Sequence, residues 1–337
     1  MFSFNKYKKV LVVAEISANH GQNFKKAVEL IKKAAECGVD AVKFQTYTQD
    51  TITIDSRQKY FQIKHPKWGG QSLYQLYKSA YTPWSWFKKL KQVTDDCGLM
   101  FFSTAFDRIS VDFLEELGVL FHKIASFELV DLPLIEYISK TGKPLIISTG
   151  MGSIEEIREA LNKAKKSGAS EVMLLKCVSA YPAQPCEMNL HTITDMQKRF
   201  GCPVGLSDHT LGIGVAVAAV PLGIKLVEKH FISSRRFKTP DSFFSLEPRE
   251  LKGLIENIRI AQESMGKVHY GLTQEQMKNK IFRRSLFVVE DMKAGDIFSR
   301  PGQKELRDIH GRRVHRFYHA TYTRESFSDG ALLWLVL

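Results

Sequence analysis

Residues 203–230 read PVGLSDHTLGIGVAVAAVPLGIKLVEKH. Two short apolar runs, Pro203 to Leu206 and Lys225 to Glu228, each stop at polar residues: Ser207-Asp208-His209 after the first, Glu228-Lys229-His230 at the second. The same unit recurs toward the N-terminus. Runs at Val10 to Ala14, Ala41 to Phe44, Met100 to Phe102, Val119 to Ile124, Pro144 to Ile147 and Val172 to Lys176 alternate with amphipathic segments rich in Lys and Glu. Strands of a parallel sheet alternate with covering helices in this way. Helix starts are marked by Thr82 ahead of Pro83 and by Ser153 with Glu156, and Phe24 to Glu36 has helical period. Eight strand and helix units over roughly 250 residues predict an α/β fold, a closed (β/α)8 TIM barrel over residues 1–275. An open doubly wound sheet is the competitor, but no GxGxxG follows the first run.

Beyond the barrel the pattern changes. Phe282 to Val289 is strand-like, Asp291 to Asp296 turn-like and Ala331 to Leu337 a last apolar run. This predicts a small second domain over 282–337, irregular from about 300.

Composition narrows the function classes. The chain has 337 residues, 44% of them hydrophobic, enough for a large core. Its longest apolar candidate, Val215 to Leu226, falls short of the roughly 18 to 20 residues that span a bilayer, so no membrane is expected. The apolar run after Lys6 to Lys9 is broken by Glu15 without a small-residue cleavage site, and reads as a first strand instead of a signal peptide. Five cysteines without CxxC spacing predict neither a disulfide framework nor a cysteine zinc site, and fit a reducing cytoplasm. The net charge of +12 suits nucleic acid or an anionic small molecule. Lys and Arg are scattered, without a basic stripe interleaved with aromatics, and no nucleic-acid partner is expected.

Barrels assemble their chemistry at the C-terminal ends of the strands. There the sequence places Glu15 to His20, Lys43 to Thr46, Ser103-Thr104, Lys123 to Glu128, Ser148 to Gly150, Lys176 to Tyr181, Ser207 to His209 and Glu228 to His230. Polar groups at every strand end, where Val, Ile and Leu are usual, predict one central site. Lys43, Lys123 and Lys176, with Thr104, Ser126, Ser148 and Ser207, could converge on an anion carrying carboxylate and phosphate, although any one lysine alone reads as a solvated strand end. His209 and His230 end consecutive strands and could share a divalent cation, each with an acid nearby (Asp208, Glu228) to orient its ring or hold a bridging water. Asp241 could add a carboxylate, though loop aspartates usually serve turns. A Schiff base on Lys123 or Lys176 is a competing chemistry.

AEISANHG (14–21), KFQTYT (43–48), FSTAFD (102–107), HKIASFE (122–128), STGM (148–151), KCVSAYP (176–182), GLSDHT (205–210) and EKHF (228–231), in that order, resemble the N-acetylneuraminate (sialic acid) synthase family. Ser17-Ala18, where sialic acid synthases tend to have Gly-Ile, and the segments 68–84 and 241–246 resemble its pseudaminic acid branch. The resemblance implies a transferase that condenses phosphoenolpyruvate with 2,4-diacetamido-2,4,6-trideoxy-L-altrose and water, with C–O cleavage, to give pseudaminic acid and phosphate. Formation of N-acetylneuraminate or legionaminate by the same mechanism is the alternative, and an inactive sugar-binding barrel is the reading from another class.

The resemblance further implies that Lys43, Thr104, Lys123, Ser126, Ser148 and Ser207 hold phosphoenolpyruvate. Ser179, where sialic acid synthases carry Asn, is placed beside them. His209 and His230 would hold a divalent ion, Mn2+ ahead of Mg2+ or Co2+. Glu15, Gln45, Glu128, Tyr181 and Asp241 would face the sugar or the reacting carbons, with Glu15 or Glu128 handling the proton. The C-terminal unit resembles an antifreeze-like (SAF) domain, which in a domain-swapped homodimer would lend an arginine to the partner's sugar site. Arg283, Ser285 and Leu286 fit its beginning, Asp308 to Tyr322 does not, and Arg300 is the expected equivalent in a divergent or truncated domain.

Overall fold

The computed structural model describes residues 2–65, 67–283, 285–287, 306–307 and 313–317. It divides into two units, Met1–Gly266 and Lys267–Leu337. The boundary expected at 275 therefore falls within the second unit.

In the first unit β1 (Leu11–Glu15), β2 (Ala41–Thr46), β3 (Met100–Ala105), β4 (His122–Ile124), β5 (Leu145–Ser148), β6 (Val172–Cys177), β7 (Val204–Ser207) and β8 (Leu226–His230) follow in chain order around a closed barrel. The parallel pairing of β1 with β8 closes it and excludes the open sheet. Between and after the strands lie α1 (Phe24–Cys37), α2 (Gln49–Ile52), α3 (Leu73–Ala80), α4 (Phe87–Asp96), α5 (Arg108–Leu117), α6 (Leu132–Ser139), α7 (Ile154–Lys166), α8 (Thr192–Phe200), α9 (Gly214–Ala219) and α10 (Pro248–Ser264).

All eight apolar runs are strands, and most strands extend into the polar residues that follow them. β4 is shorter than its run, since pairing with β5 begins only at His122, although Val119 and Phe121 ahead of it are buried too. The helix starts have local causes. Asn23, Asp107 and Asp131 accept backbone N–H bonds at the starts of α1, α5 and α6, and Ser153 with Glu156 forms the expected capping box of α7. Thr82-Pro83 behaves differently. A single 3-10 turn, Trp84–Trp86, intervenes before α4, and the Thr82 hydroxyl meets His20 Nε2 at 2.9 Å instead of capping a helix.

Strand alternation divides the core into two layers. Outward residues such as Val12, Ala14, Val42, Phe44 and Leu174 pack against Leu30, Ile31, Leu114, Leu161 and Leu254 of the helices. Inward residues Leu11, Val13, Ala41, Phe102, Ile146, Met173, Leu175 and Leu226, with Phe4 and Phe121, form a separate apolar cluster inside the barrel. This plug forces polar inward residues into the layers above it. Gly205 on β7 adds no side chain because there is no room: a Cβ there would stand 2.7 Å from both Leu175 Cδ2 and the Leu226 carbonyl oxygen.

The second unit contains α11 (Gln274–Asn279) and a three-stranded antiparallel sheet of β9 (Ser285–Phe287), β10 (Leu306–Arg307) and β11 (Arg313–Phe317), in the order β10-β11-β9. β9 falls in the run expected to be a strand. The expected turn at 291–296 and last run at 331–337 lie outside the described residues. Among the described residues no helix is long and apolar enough to cross a membrane.

Gly205→Val should destabilise the protein by about 2 kcal/mol or more, the scale of overpacking a filled interior. Urea denaturation followed by far-UV circular dichroism checks this, and an unchanged midpoint would contradict the packed-plug description.

Candidate active site

Directly above the plug, β1, β2 and β8 bring three ionisable residues together. Lys43 Nζ lies 2.9 Å from Glu228 Oε1 and 3.5 Å from Glu15 Oε2, with all three side chains at most 5% exposed. Gln45 Nε2 donates to Glu15 Oε1 at 2.8 Å and to Ser17 Oγ at 2.9 Å, and the Ser207 hydroxyl donates to Glu228 Oε1 at 3.1 Å. One cation cannot neutralise two buried carboxylates, and their protonation diverges. Burial, which Lys43 only partly offsets and Glu228 reinforces, pushes Glu15 well above the usual carboxylate range. Burial acts the same way on Glu228, but Lys43 and Lys123 overcome it and hold Glu228 well below that range. The centre thus contains a neutral Glu15 and an ion pair between Glu228 and Lys43, while Glu15 Oε2 and Glu228 Oε2 have no hydrogen-bond partner.

Beside this triad the ends of β4, β5 and β6 form a cradle of donors. Lys123 Nζ, fully buried, donates to Ser148 Oγ at 2.6 Å and to the Ile124 carbonyl at 2.7 Å, and burial together with Lys43 lowers it to about 8. Thr104 pairs with Lys123 across the β3–β4 ladder. Gly150 N–H donates to Ser126 Oγ at 3.1 Å. The absence of a side chain at 150 lets the main chain approach both hydroxyls, since a Cβ would stand 2.2 Å from Ser179 Oγ and 2.8 Å from Ser126 Oγ. The Ser179 hydroxyl is buried and makes no hydrogen bond.

Lys176 does not join the other two lysines. It shares the outward parity of Leu174 on β6, and its ammonium reaches the Cys177 carbonyl at 3.5 Å. The inward residue there is Cys177. Burial raises its thiol, but His209, Ser126 and Lys123 more than compensate and bring it to about 7.

The two histidines stand together, ring centroids 5.5 Å apart. His209 Nδ1 lies 2.9 Å from the Val178 carbonyl, which can only accept, so Nδ1 carries a proton and Nε2 is the nitrogen left to face the site. Burial lowers His209, but Cys177 and the Val178 carbonyl outweigh it and raise His209 above its ordinary range, whereas burial, His209 and Lys43 press His230 well below its own; the buried Nδ1 of His230 has no hydrogen bond, with Asp241 Oδ2 at 3.6 Å. Among the described residues no group of three or more His, Cys, Asp or Glu is arranged to enclose a metal. Two adjacent imidazoles, one with an orphaned buried nitrogen, are a donor set that fits a divalent cation. The expected orientation of a ring by Asp208 is not found, because Asp208 pairs with Lys229 and Thr210.

Loops and a short turn carry the remaining groups. Glu128, on the 3-10 turn Ser126–Glu128, is raised from 4.5 to about 7 by burial against the pull of Lys123, and its Oε2 is unpartnered. Asp241 is also raised by burial, and lies within reach of the Ala18 N–H at 3.5 Å. Asn19 ties the β1 and β8 loops: its amide donates to the Phe231 carbonyl and to Ser245 Oγ at 2.9 and 2.8 Å, and it accepts from the Thr239 hydroxyl at 2.6 Å. The Tyr181 ring lies tilted against His209 at 4.4 Å, and Phe244 meets His230 edge to face at 4.7 Å. Trp68 sits 5.8 Å from Tyr181 and donates Nε1–H to the Pro240 carbonyl at 2.7 Å, forming an aromatic roof.

The barrel end therefore gathers Glu15, Lys43, Gln45, Thr104, Lys123, Ser126, Glu128, Ser148, Ser179, Tyr181, Ser207, His209, His230 and Asp241. Arg300 lies outside the described residues. Sequence reasoning overlooked Cys177 as an inward group, Glu228 as the counter-ion of Lys43, Asn19 as a loop tie and Trp68 as a roof. The first two were recoverable from strand alternation; the last two depend on loop contacts far apart in sequence.

Residues 30–270 match the model of the NeuB family. The chain belongs to that family. A pseudaminic acid synthase of Campylobacter jejuni is 37% identical over 328 residues, covering 97% of this chain and 95% of the relative. An N,N'-diacetyllegionaminic acid synthase of the same species is 38% identical over 314 residues, covering 92% and 94%. Among solved structures, the N-acetylneuraminic acid synthetase of Leptospira borgpetersenii, in complex with citrate, superposes with a TM-score of 0.72 at 29% identity, over 81% of this chain and 90% of that one. The matched residues include the strand-end groups of β2 to β8 described above, and the β1 end with Glu15 lies just ahead of them.

In the folded chain Glu128 keeps its proton until about pH 7, whereas the unfolded chain loses it near 4.5. The folded state binds more protons in that interval, so this group lowers stability as pH rises through it. Glu128→Gln removes the penalty. Its stability relative to the parent should be level below pH 4.5 and climb toward pH 7, by about 3 kcal/mol at most; a difference independent of pH in urea titrations would refute the assignment.

Proposed function

We propose that this NeuB barrel condenses phosphoenolpyruvate with 2,4-diacetamido-2,4,6-trideoxy-L-altrose and water, giving pseudaminic acid and phosphate. The observation that carries the reading is the meeting, at one barrel end, of a donor cradle (Lys123, Ser126, Ser148, Gly150 N–H) with the His209–His230 pair and two carboxylates in opposite protonation states. The relative named a pseudaminic acid synthase aligns over nearly the whole of both chains.

In this reading Lys43, Lys123, Thr104, Ser126, Ser148, Ser179 and Ser207 bind the phosphate and carboxylate of phosphoenolpyruvate, and their charge and dipoles are in place before the reaction begins. A divalent cation, Mn2+ ahead of Mg2+ or Co2+, held by His209 and His230, would supply Lewis acidity toward the aldehyde oxygen of the open-chain sugar. Gln45, Tyr181 and Asp241 orient the sugar so that its C1 faces C3 of phosphoenolpyruvate. As the C–C bond forms, Glu15 delivers its proton to the aldehyde oxygen. The oxocarbenium centre left at C2 faces the Glu228 anion, water adds there, and Glu128 takes the proton of that water. The tetrahedral C2 then collapses: its bond to the phosphate oxygen breaks, the departing phosphate takes up the C2 hydroxyl proton, and the 2-keto acid is left. The reading places the reaction in the cytoplasm, in keeping with five free cysteines. It also includes a homodimer in which the partner subunit's Arg300 reaches the sugar.

The legionaminic acid synthase relative, at 38% identity, favours a second reading with the same chemistry and a different diacetamido sugar. Phosphate release with Mn2+, phosphoenolpyruvate and one sugar at a time separates the two. Release with the altrose derivative, and little with N-acetylmannosamine or the legionaminate precursor, is the expected result; preference for another sugar reassigns the substrate, and no release with any sugar overturns the reading.

Lys123→Met should raise the KM for phosphoenolpyruvate by about 10-fold or more, the loss of a charged hydrogen bond, while the sugar KM changes about 2-fold at most. The reverse pattern in steady-state kinetics would relocate the two substrates.

A further inference from the structure

The residues that precede the two histidines form a buried pair of their own. Asp208 comes before His209 and Lys229 before His230, and by strand alternation Lys229 projects away from the barrel centre, opposite to Glu228 and His230. Lys229 Nζ donates to Asp208 Oδ2 at 3.0 Å and to the Thr210 carbonyl at 2.5 Å, and Asp208 Oδ1 accepts the Thr210 N–H at 2.9 Å and its hydroxyl at 2.7 Å. Both charged side chains are at most 1% exposed.

The position of this pair matters because the ladder runs out beneath it. Register between β7 and β8 ends at Ser207 opposite Glu228, so His209 lies beyond the last paired residues. Past that point the Asp208 N–H bond to the Glu228 carbonyl, at 3.0 Å, is the main-chain tie between the two strand ends. From the other side Ala183 N–H holds the His209 carbonyl at 3.1 Å, which anchors His209 to the β6 loop and not to His230. The side-chain pair bonds the residues on both sides of His209 to the residue before His230. An apolar pair of similar volume would stabilise such a position about as well, because desolvating two charges offsets their attraction. What the charged pair adds is direction.

We propose that Lys229 and Asp208 are positioning residues that set the spacing of His209 and His230 for a shared divalent cation. The inference rests on the cation reading given above. Groups that orient metal ligands from behind typically contribute 10-fold to 100-fold in metal affinity.

The test is Mn2+ binding to the metal-free full-length protein without substrates, read as free Mn2+ by electron paramagnetic resonance, with thermal unfolding of the metal-free protein beside it. In the double variant Asp208→Asn/Lys229→Met no buried charge is left unpaired. It should unfold near the parent temperature yet bind Mn2+ about 10-fold to 100-fold more weakly. Lys229→Arg, which keeps the charge and changes its reach, is the second variant, expected to weaken binding by about 3-fold or more, and it carries the test should the double variant not fold. Parent-like affinity in either folded variant overturns the clamp. Absence of Mn2+ binding by the parent protein overturns the cation reading itself, and that result is distinct from the first.

Discussion

Lys43 sits between two carboxylates in the middle of a closed barrel, where water cannot screen them. Charges this deep are tolerated only as neighbours, and neighbours they can be only because β8 returns to pair with β1. Opening the barrel at that seam would leave Lys43 beside one carboxylate and Glu228 without its cation. The apolar plug below has a matching role. By occupying the lower barrel with Phe102, Phe121, Leu175 and their neighbours, it confines the inward polar residues to the upper layers.

The same triad organises what surrounds it. Lys43 helps lower Lys123, Glu228 accepts from Ser207, and Glu15 draws Gln45 and through it Ser17 toward the centre. A ligand anion entering the cradle meets cations already held in place, and a carbonyl group entering beside Glu15 meets an acid already protonated. Preorganisation of this kind has a cost, visible in the unpartnered oxygens of Glu15, Glu128, Ser179 and Glu228.

How far the sequence carried depended on whether the informative contacts were local. Strand runs and their polar ends are written in consecutive residues, so the barrel and fourteen residues of its rim, Glu15 through Asp241, were legible. Parity along a strand is equally local. Lys176 was nevertheless grouped with Lys43 and Lys123, although its outward neighbours Val172 and Leu174 mark the other face, and Cys177 was passed over for the same reason. The role given to Asp208 went astray for a different cause: adjacency to His209 suggested a contact, whereas alternation turns the two side chains apart and delivers Asp208 to Lys229. Thr82 was read as a cap because its partner, His20, lies 62 positions away. Two NeuB relatives of nearly equal identity, 37% and 38%, carry the names of synthases for different sugars, and the pseudaminic acid synthase aligns over more of this chain, 97% against 92%.

Gly150 limits how the anion cradle can diversify. With Ser179 Oγ and Ser126 Oγ standing where its Cβ would be, the position admits no other residue unless both serines retreat. Positions 126, 150 and 179 are therefore constrained jointly: a larger residue at 150 needs smaller or displaced side chains at the other two.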